Sequence, residues 1–165
     1  MRSFFKIEFV LFCVTLILTA VFTLSFHPIS ATLQVGDGKK TISSVQKAVN
    51  KAKPGDVVLI KQGKYSSNDQ SSLNIDKGIT LKGENASEVV LEGGVAVEPS
   101  TPKVIIQDLT ITGFTTIGSA LELKTSSHAK VKNVEITDNS HGLVLHTSAS
   151  AKLINSKIIA VDKGI

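Results

Sequence analysis

Residues 120–165 read ALELKTSSHAKVKNVEITDNSHGLVLHTSASAKLINSKIIAVDKGI, and the stretch lies on itself when shifted by 22 residues. Leu121 falls on Leu143, Leu123 on Leu145, Thr125 on Thr147 and Ser126 on Ser148. Ala129 falls on Ala151, Lys130 on Lys152, Asn133 on Asn155, Ile136 on Ile158 and Gly142 on Gly164. Nine identities in 24 compared positions, with no gap, mark an internal repeat. Such periods belong to architectures whose units bury their apolar faces only by stacking on a neighbour.

Short β-branched or leucine-rich runs continue this pattern back to Asp56. They are Val57–Ile60, Leu73–Ile75, Ile79–Leu81, Val89–Leu91, Val95–Val97, Val104–Ile106, Leu109–Ile111, Leu121–Leu123, Val134–Ile136, Leu143–Leu145 and Ile154–Ile159. Gly, Asn, Asp, Ser and Pro punctuate them. None is long enough for a helix and no connection reads as a crossover helix, which excludes a doubly wound α/β fold. Three runs per period fit one coil of a parallel β-helix, each strand pairing with its copy about 4.8 Å along the axis. The expected fold is therefore all-β, a solenoid over 56–165 with about five coils of about 22 residues. Leu121/Leu143 and Leu123/Leu145 form inward columns, and Ala120/Gly142 marks a tight corner. Asn133/Asn155 stack as an amide ladder, with Asp108 one coil earlier, and these polar positions read as structural.

Residues 32–55 lead into the stack. Thr32–Val35 predicts a short strand and Gly36-Asp37-Gly38 a turn. Ile42, Val45, Ala48, Val49 and Ala52 give one apolar helical stripe. Ser43 with Gln46 fits a capping box, and Pro54-Gly55 stops the helix. An amphipathic helix before a run of strands reads as a cap on an open end, covering edges that would otherwise pair with other chains.

Residues 1–31 read as a targeting segment. Arg2 and Lys6 precede the apolar run Phe9–Phe26, and His27-Pro28-Ile29-Ser30-Ala31 supplies a breaker and a small residue. The order is that of a secretory signal cut after Ala31, with an uncleaved membrane anchor as the alternative. Both place the domain outside the cytoplasm: secreted, periplasmic or at the cell surface. Membrane contact is expected only through this segment.

Composition narrows the chemistry. The only arginine is Arg2 and the only cysteine is Cys13, so no disulfide, thiolate metal site or cysteine nucleophile falls in the repeat. The formal net charge is +4, and the lysines are scattered with no run beyond Lys39-Lys40, which argues against a nucleic-acid surface.

Seven short stretches resemble a known superfamily. Thr41-Ile42, Val45–Val49, Pro54–Ile60, Gly63-Lys64-Tyr65 and Ile79–Glu84 are similar to the N-terminal cap and first coils of the right-handed parallel β-helix, the pectate-lyase-like fold. Val131-Lys132-Asn133 and Asp138–Leu145 resemble the repeats of NosD-type periplasmic proteins and carbohydrate-active relatives. The resemblance covers about Thr32–Ile165 and implies a right-handed solenoid, while such a fold carries many unrelated functions.

It also implies what an enzyme of this group would need. Pectate lyases hold calcium with aspartates and use an arginine base. Polygalacturonases use clustered aspartates, and pectin methylesterases two aspartates and an arginine. Beyond Arg2 there is no arginine to match, and no Asp-Asp or Asp-x-x-Asp occurs. Ser140-His141-Gly142 echoes the polygalacturonase "HG" but sits where an ordinary repeat turns. No catalytic residue is assigned.

The outward positions left over are Glu122 and Lys124, with His146 one coil beyond Lys124. Since Leu121 and Leu123 point inward, Glu122 and Lys124 point out. They are the candidate carbohydrate-binding strip; the bland alternative is a solvated strand face. His141 and His146, with His128 nearby in sequence, are the candidate metal ligands, because the NosD-type resemblance implies copper handling. His128 and His146 have Ser150 and Lys124 as repeat equivalents, and a Cu(I) site would lack soft ligands. No cofactor is expected; calcium and copper are the alternatives. Asn85-Ala86-Ser87 is a glycosylation sequon.

Gly164-Ile165 corresponds to Gly142-Leu143, the start of a coil. The expectation is a truncated product, or a partner, second copy or further coils covering the open end. The leading reading is an exported glycan-binding scaffold without its own complete catalytic site. A pectin- or uronate-active lyase, hydrolase or esterase relative is the second, and a copper-handling protein the third.

Overall fold

The computed structural model describes residues 30–38, 44–66, 72–113, 119–139 and 141–160. Residues 1–29 of the expected targeting segment, Ile42, Ser43 and Gly164-Ile165 lie outside them. Among the described residues no helix is long and apolar enough to cross a membrane.

The strands are β1 (Thr32–Val35), β2 (Val57–Ile60), β3 (Gly63–Ser66), β4 (Leu73–Ile75), β5 (Thr80–Gly83), β6 (Val89–Glu92), β7 (Val95–Val97), β8 (Val104–Thr112), β9 (Ser119–Leu123), β10 (His128–Asn139), β11 (His141–Leu145), β12 (Ser150–Ile154) and β13 (Lys157–Ala160), with one helix, α1 (Val45–Lys51). All pairings among them are parallel. They form a solenoid with three faces. The first runs β1-β2-β5-β8-β10-β12, using the first halves of β8 and β10. The second runs β3-β6-β8-β10-β13, using their second halves. The third runs β4-β7-β9-β11. The described residues hold four complete coils and the first two strands of a fifth.

Alternation along each strand sends one set of side chains into the axis. Val58, Leu81, Ile106 and Val131 stack in register and are each 0% exposed. Ile75, Val97 and Leu123 do the same on the third face. Burying such a side chain contributes about 1.5–3 kcal/mol, so the columns carry the fold. On the last described strand of each face, Leu145, Leu153 and Ile158 are exposed because each has a stacked neighbour on one side only.

The corners explain the repeated polar residues. Asp108, Asn133 and Asn155 share one column and have φ of 58°, 52° and 48°. Asn and Asp tolerate this left-handed backbone best among non-glycine residues. Asn133 Nδ2 donates to Asp108 Oδ1 at 2.9 Å. Gly83 precedes Asp108 in this column, and a side chain there would collide with the Asp108 carbonyl. A second corner, not foreseen, stacks Ser100, Ser126 and Ser148 at φ 56–59°. Their amides climb the stack: Ser100 N donates to Thr125 O at 2.9 Å and Ser126 N to Thr147 O at 3.0 Å.

Three expectations change in detail. The 22-residue period holds on every face only between the last coils, since Lys130 pairs with Ile105 and Leu121 with Val95, offsets of 25 and 26, although Leu73 and Val95 on the third face are again 22 apart. The surplus sits in turns, where extra residues cost little: β8–β9 spans Thr112 to Ser119, whereas the equivalent β10–β11 connection spans Thr137 to His141. The runs Val104–Ile106 and Leu109–Ile111 belong to one strand bent at Asp108. The capping box is replaced by another use of Gln46. The helix is preceded by Ser44 with no side-chain cap bond. Gln46 reaches β4 instead, its Oε1 accepting from Asn74 N at 2.8 Å and its Nε2 donating to Asn74 O at 3.0 Å.

This clamp lays Val45, Ala48 and Val49 over the open end of the core. Asp56 ties the same end together, accepting from the Ala31 and Lys53 amides at 2.8 Å each. The Lys53 amide first, then that of Ala31, holds its carboxyl below the usual aspartate range against the opposing desolvation. Tyr65 covers Gly63 and donates to Lys61 O at 2.9 Å.

Two outcomes follow. A depressed carboxylate contributes stability above its unfolded pKa of about 3.9 and loses it as pH falls through the folded value. Asp56→Ala therefore melts below the wild type at pH 7, and the gap closes below about pH 4, in thermal unfolding across a pH series. Asn133→Ala costs about 1–2 kcal/mol in urea unfolding and Asn133→Gly less, because glycine keeps the left-handed corner unstrained.

Candidate functional site

The third face carries the candidate strip. Glu122 stands between Leu121 and Leu123, both 0% exposed, so its side chain points outward. Backbone pairing continues past the strands: Lys124 N donates to Val97 O and His146 N to Leu123 O, each at 2.9 Å. Glu98, Lys124 and His146 thus follow one another along the axis.

The structure brings Glu122, Lys124 and His146 together and adds Glu98. Lys124 Nζ binds both Glu98 oxygens, at 2.8 and 3.0 Å. His146 Nε2 lies 2.6 Å from Glu122 Oε1 on the diagonal of the adjacent coil. Glu98 was hidden because it lies 26 residues before Lys124, in the irregular part of the repeat. These half-exposed pairs contribute little to stability, about 0.2–1 kcal/mol each, so a polar ligand can replace them at small cost. Each carboxylate already has a partner, Glu98 in the Lys124 ammonium and Glu122 in the His146 ring, an arrangement suited to hydrogen bonding with hydroxyls rather than to a carboxylate pair sharing a proton.

The remaining candidates fall elsewhere. His141 opens β11 and His146 follows its end, about 16 Å away along an extended strand. The two therefore do not share a metal. His128 lies on the first face, its Nδ1 2.8 Å from Ser150 Oγ. Among the described residues no group of three or more His, Cys, Asp or Glu gathers around a common point. Asn85 is exposed in the β5–β6 turn, where its Oδ1 accepts from Ser87 N and Oγ at 3.3 Å. Asn133 and Asn155, with Ala86 and Glu135, border a shallow cleft of about 210 Å³. A larger trough of about 530 Å³ lies on the first face, away from the strip.

Residues 39–165 match the family model described as right handed beta helix region. Among solved structures the chain is similar to a mutant pectin methylesterase in complex with a hexasaccharide, with a TM-score of 0.63 and 17% identity. The likeness covers 76% of this chain and 48% of that one, so the chain spans about half the length of its structural neighbour. At this identity the likeness is one of fold. No curated protein matches the sequence. Three parallel faces, stacked aliphatic columns and a family match over most of the sequence lead to one assignment: the chain belongs to the right-handed parallel β-helix family.

Proposed function

We propose that the chain is an exported glycan-binding scaffold that uses the third face and has no complete catalytic site of its own. The observation that carries this reading is the strip itself. Glu98, Glu122, Lys124 and His146 form an array of donors and acceptors on a rigid sheet, each paired with a neighbour. A sugar ring presents hydroxyls that exchange with such groups without leaving a buried charge unpaired. The structural neighbour is a β-helix in complex with a hexasaccharide, which supports a glycan as the ligand class. The basic and apolar order of residues 1–31 supports export.

A second reading, a pectin-active esterase relative, is favoured by that same neighbour. It lacks support from the residues: the only arginine is Arg2, and both strip glutamates are already engaged, Glu98 by Lys124 and Glu122 by His146.

The test is a cell-wall polysaccharide panel with the full chain, read by affinity electrophoresis. Retention by at least one glycan is expected. Glu122→Ala with His146→Ala should weaken it about tenfold, as expected for losing a hydrogen-bonded charged contact. Methanol release from methylated pectin, or unsaturated uronides from polygalacturonate, would sink the non-catalytic reading.

A further inference from the structure

The strip and the columns leave one motif without a role: Asn85-Ala86-Ser87, an acceptor sequence for N-linked glycosylation. Asn50, Asn68, Asn74, Asn133, Asn139 and Asn155 have no Ser or Thr two positions on, so it is the single such sequence in the chain. The surroundings of Asn85 give the motif its weight. It stands in the turn between β5 and β6, and both Asn85 and Ser87 are exposed. The backbone around them is held on both sides. Glu84 N donates to Ile60 O at 2.9 Å, and the Glu88 and Val89 amides both reach Asn85 O at 3.2 Å. Thr110 Oγ1 donates to Ala86 O at 2.9 Å, which ties the turn to β8. The acceptor therefore sits on a fixed platform at the rim of the solenoid.

The side chain is engaged at one end only. Oδ1 accepts from both N and Oγ of Ser87 at 3.3 Å, and among the described residues no hydrogen bond engages Nδ2. Asn133, by contrast, spends its Nδ2 on Asp108. At 3.3 Å the two bonds to Oδ1 are long, so the turn releases the side chain to a transferase at small cost. Beside Ala86 and Ser87 lies the shallow cleft of about 210 Å³, bordered by Asn133, Glu135 and Asn155. It leaves open room for a first sugar ring, with donors and acceptors around it. The turn joins a strand of the first face to one of the second, so a glycan here leaves Glu122 and His146 on the third face clear.

We propose that Asn85 is an N-glycosylation site of the exported chain. The sugar donor is a lipid-linked oligosaccharide, joined through its anomeric carbon to a polyprenyl phosphate or diphosphate. Asn85 Nδ2 forms a bond to that carbon, and the bond from the carbon to the phosphate oxygen breaks. The polyprenyl phosphate or diphosphate leaves with the electron pair, and Nδ2 gives up one proton. Ser87 is the positioning residue, because its hydroxyl holds Oδ1 and so orients the amide. The attached sugar adds polar bulk at the rim. The proposal rests on the export reading, since donor and transferase act on the far side of the membrane that the leader crosses, and it goes beyond the recognition proposed for the third face.

The test is peptide mass spectrometry on the full chain recovered from the cells that encode it, with export scored separately by fractionation. Tryptic cleavage after Lys82 and Lys103 gives the peptide 83–103, in which Asn85 is the only asparagine. The exported chain should show a mass gain of at least one monosaccharide, placed on Asn85 by electron-transfer fragmentation. Asn85→Gln and Ser87→Ala should each abolish the gain, and Ser87→Thr should keep it. Circular dichroism confirms that each variant is folded. An exported chain whose peptide stays unmodified, sugar on Ser87, Ser100 or Thr101 instead, or a gain that survives Ser87→Ala would each overturn the proposal and leave export standing. A chain that stays inside the cell overturns export and this proposal together.

Discussion

Everything in this molecule follows from one requirement: the amides and carbonyls of each short strand find their partners one coil away. A strand of three to five residues cannot be stable alone. Parallel stacking at a fixed spacing supplies its hydrogen bonds and also decides which side chains become neighbours. Val58, Leu81, Ile106 and Val131 are far apart in sequence and form one continuous wall. The corners follow from the same condition. Asp108, Asn133 and Asn155 take a left-handed turn so that one strand can serve two faces, and the amides of Ser100 and Ser126 continue the ladder where the chain turns again.

That constraint separates stability from recognition. Inward columns are uniform because each must fit the coils above and below. Outward positions are free, so the faces differ in which polar side chains they carry and pair. The first turns of the solenoid are closed by different means. Gln46 clamps the helix to the edge of β4, and Asp56 gathers the amides of Ala31 and Lys53.

Most of the fold was legible in the sequence because aliphatic columns repeat visibly. Leu121/Leu143 and Asn133/Asn155 give the final coil at a glance. What escaped notice was hidden for physical reasons. The strand residues Gly63–Ser66, His128–Lys132 and Ser150–Leu153 do not read as strands, since an outward lysine beside an inward valine or alanine does not look like an apolar run. The serine corner was seen only as an identity, because nothing in Ser126/Ser148 announces a left-handed backbone. Glu98 was missed as a partner of Lys124 because a longer turn breaks the period before it. The lysines seemed scattered for the same reason that the fold works: neighbours on a face are separated by a whole coil.

The uneven coil lengths have a consequence of their own. Between β8 and β9 the chain takes more residues than between β10 and β11, yet the strands on both sides keep their register. The pitch is therefore set by the strands and the girth by the turns. A loop can be lengthened, exchanged or decorated at this rim without moving any column. New surface chemistry can thus be added along the edge while the stacked interior stays as it is.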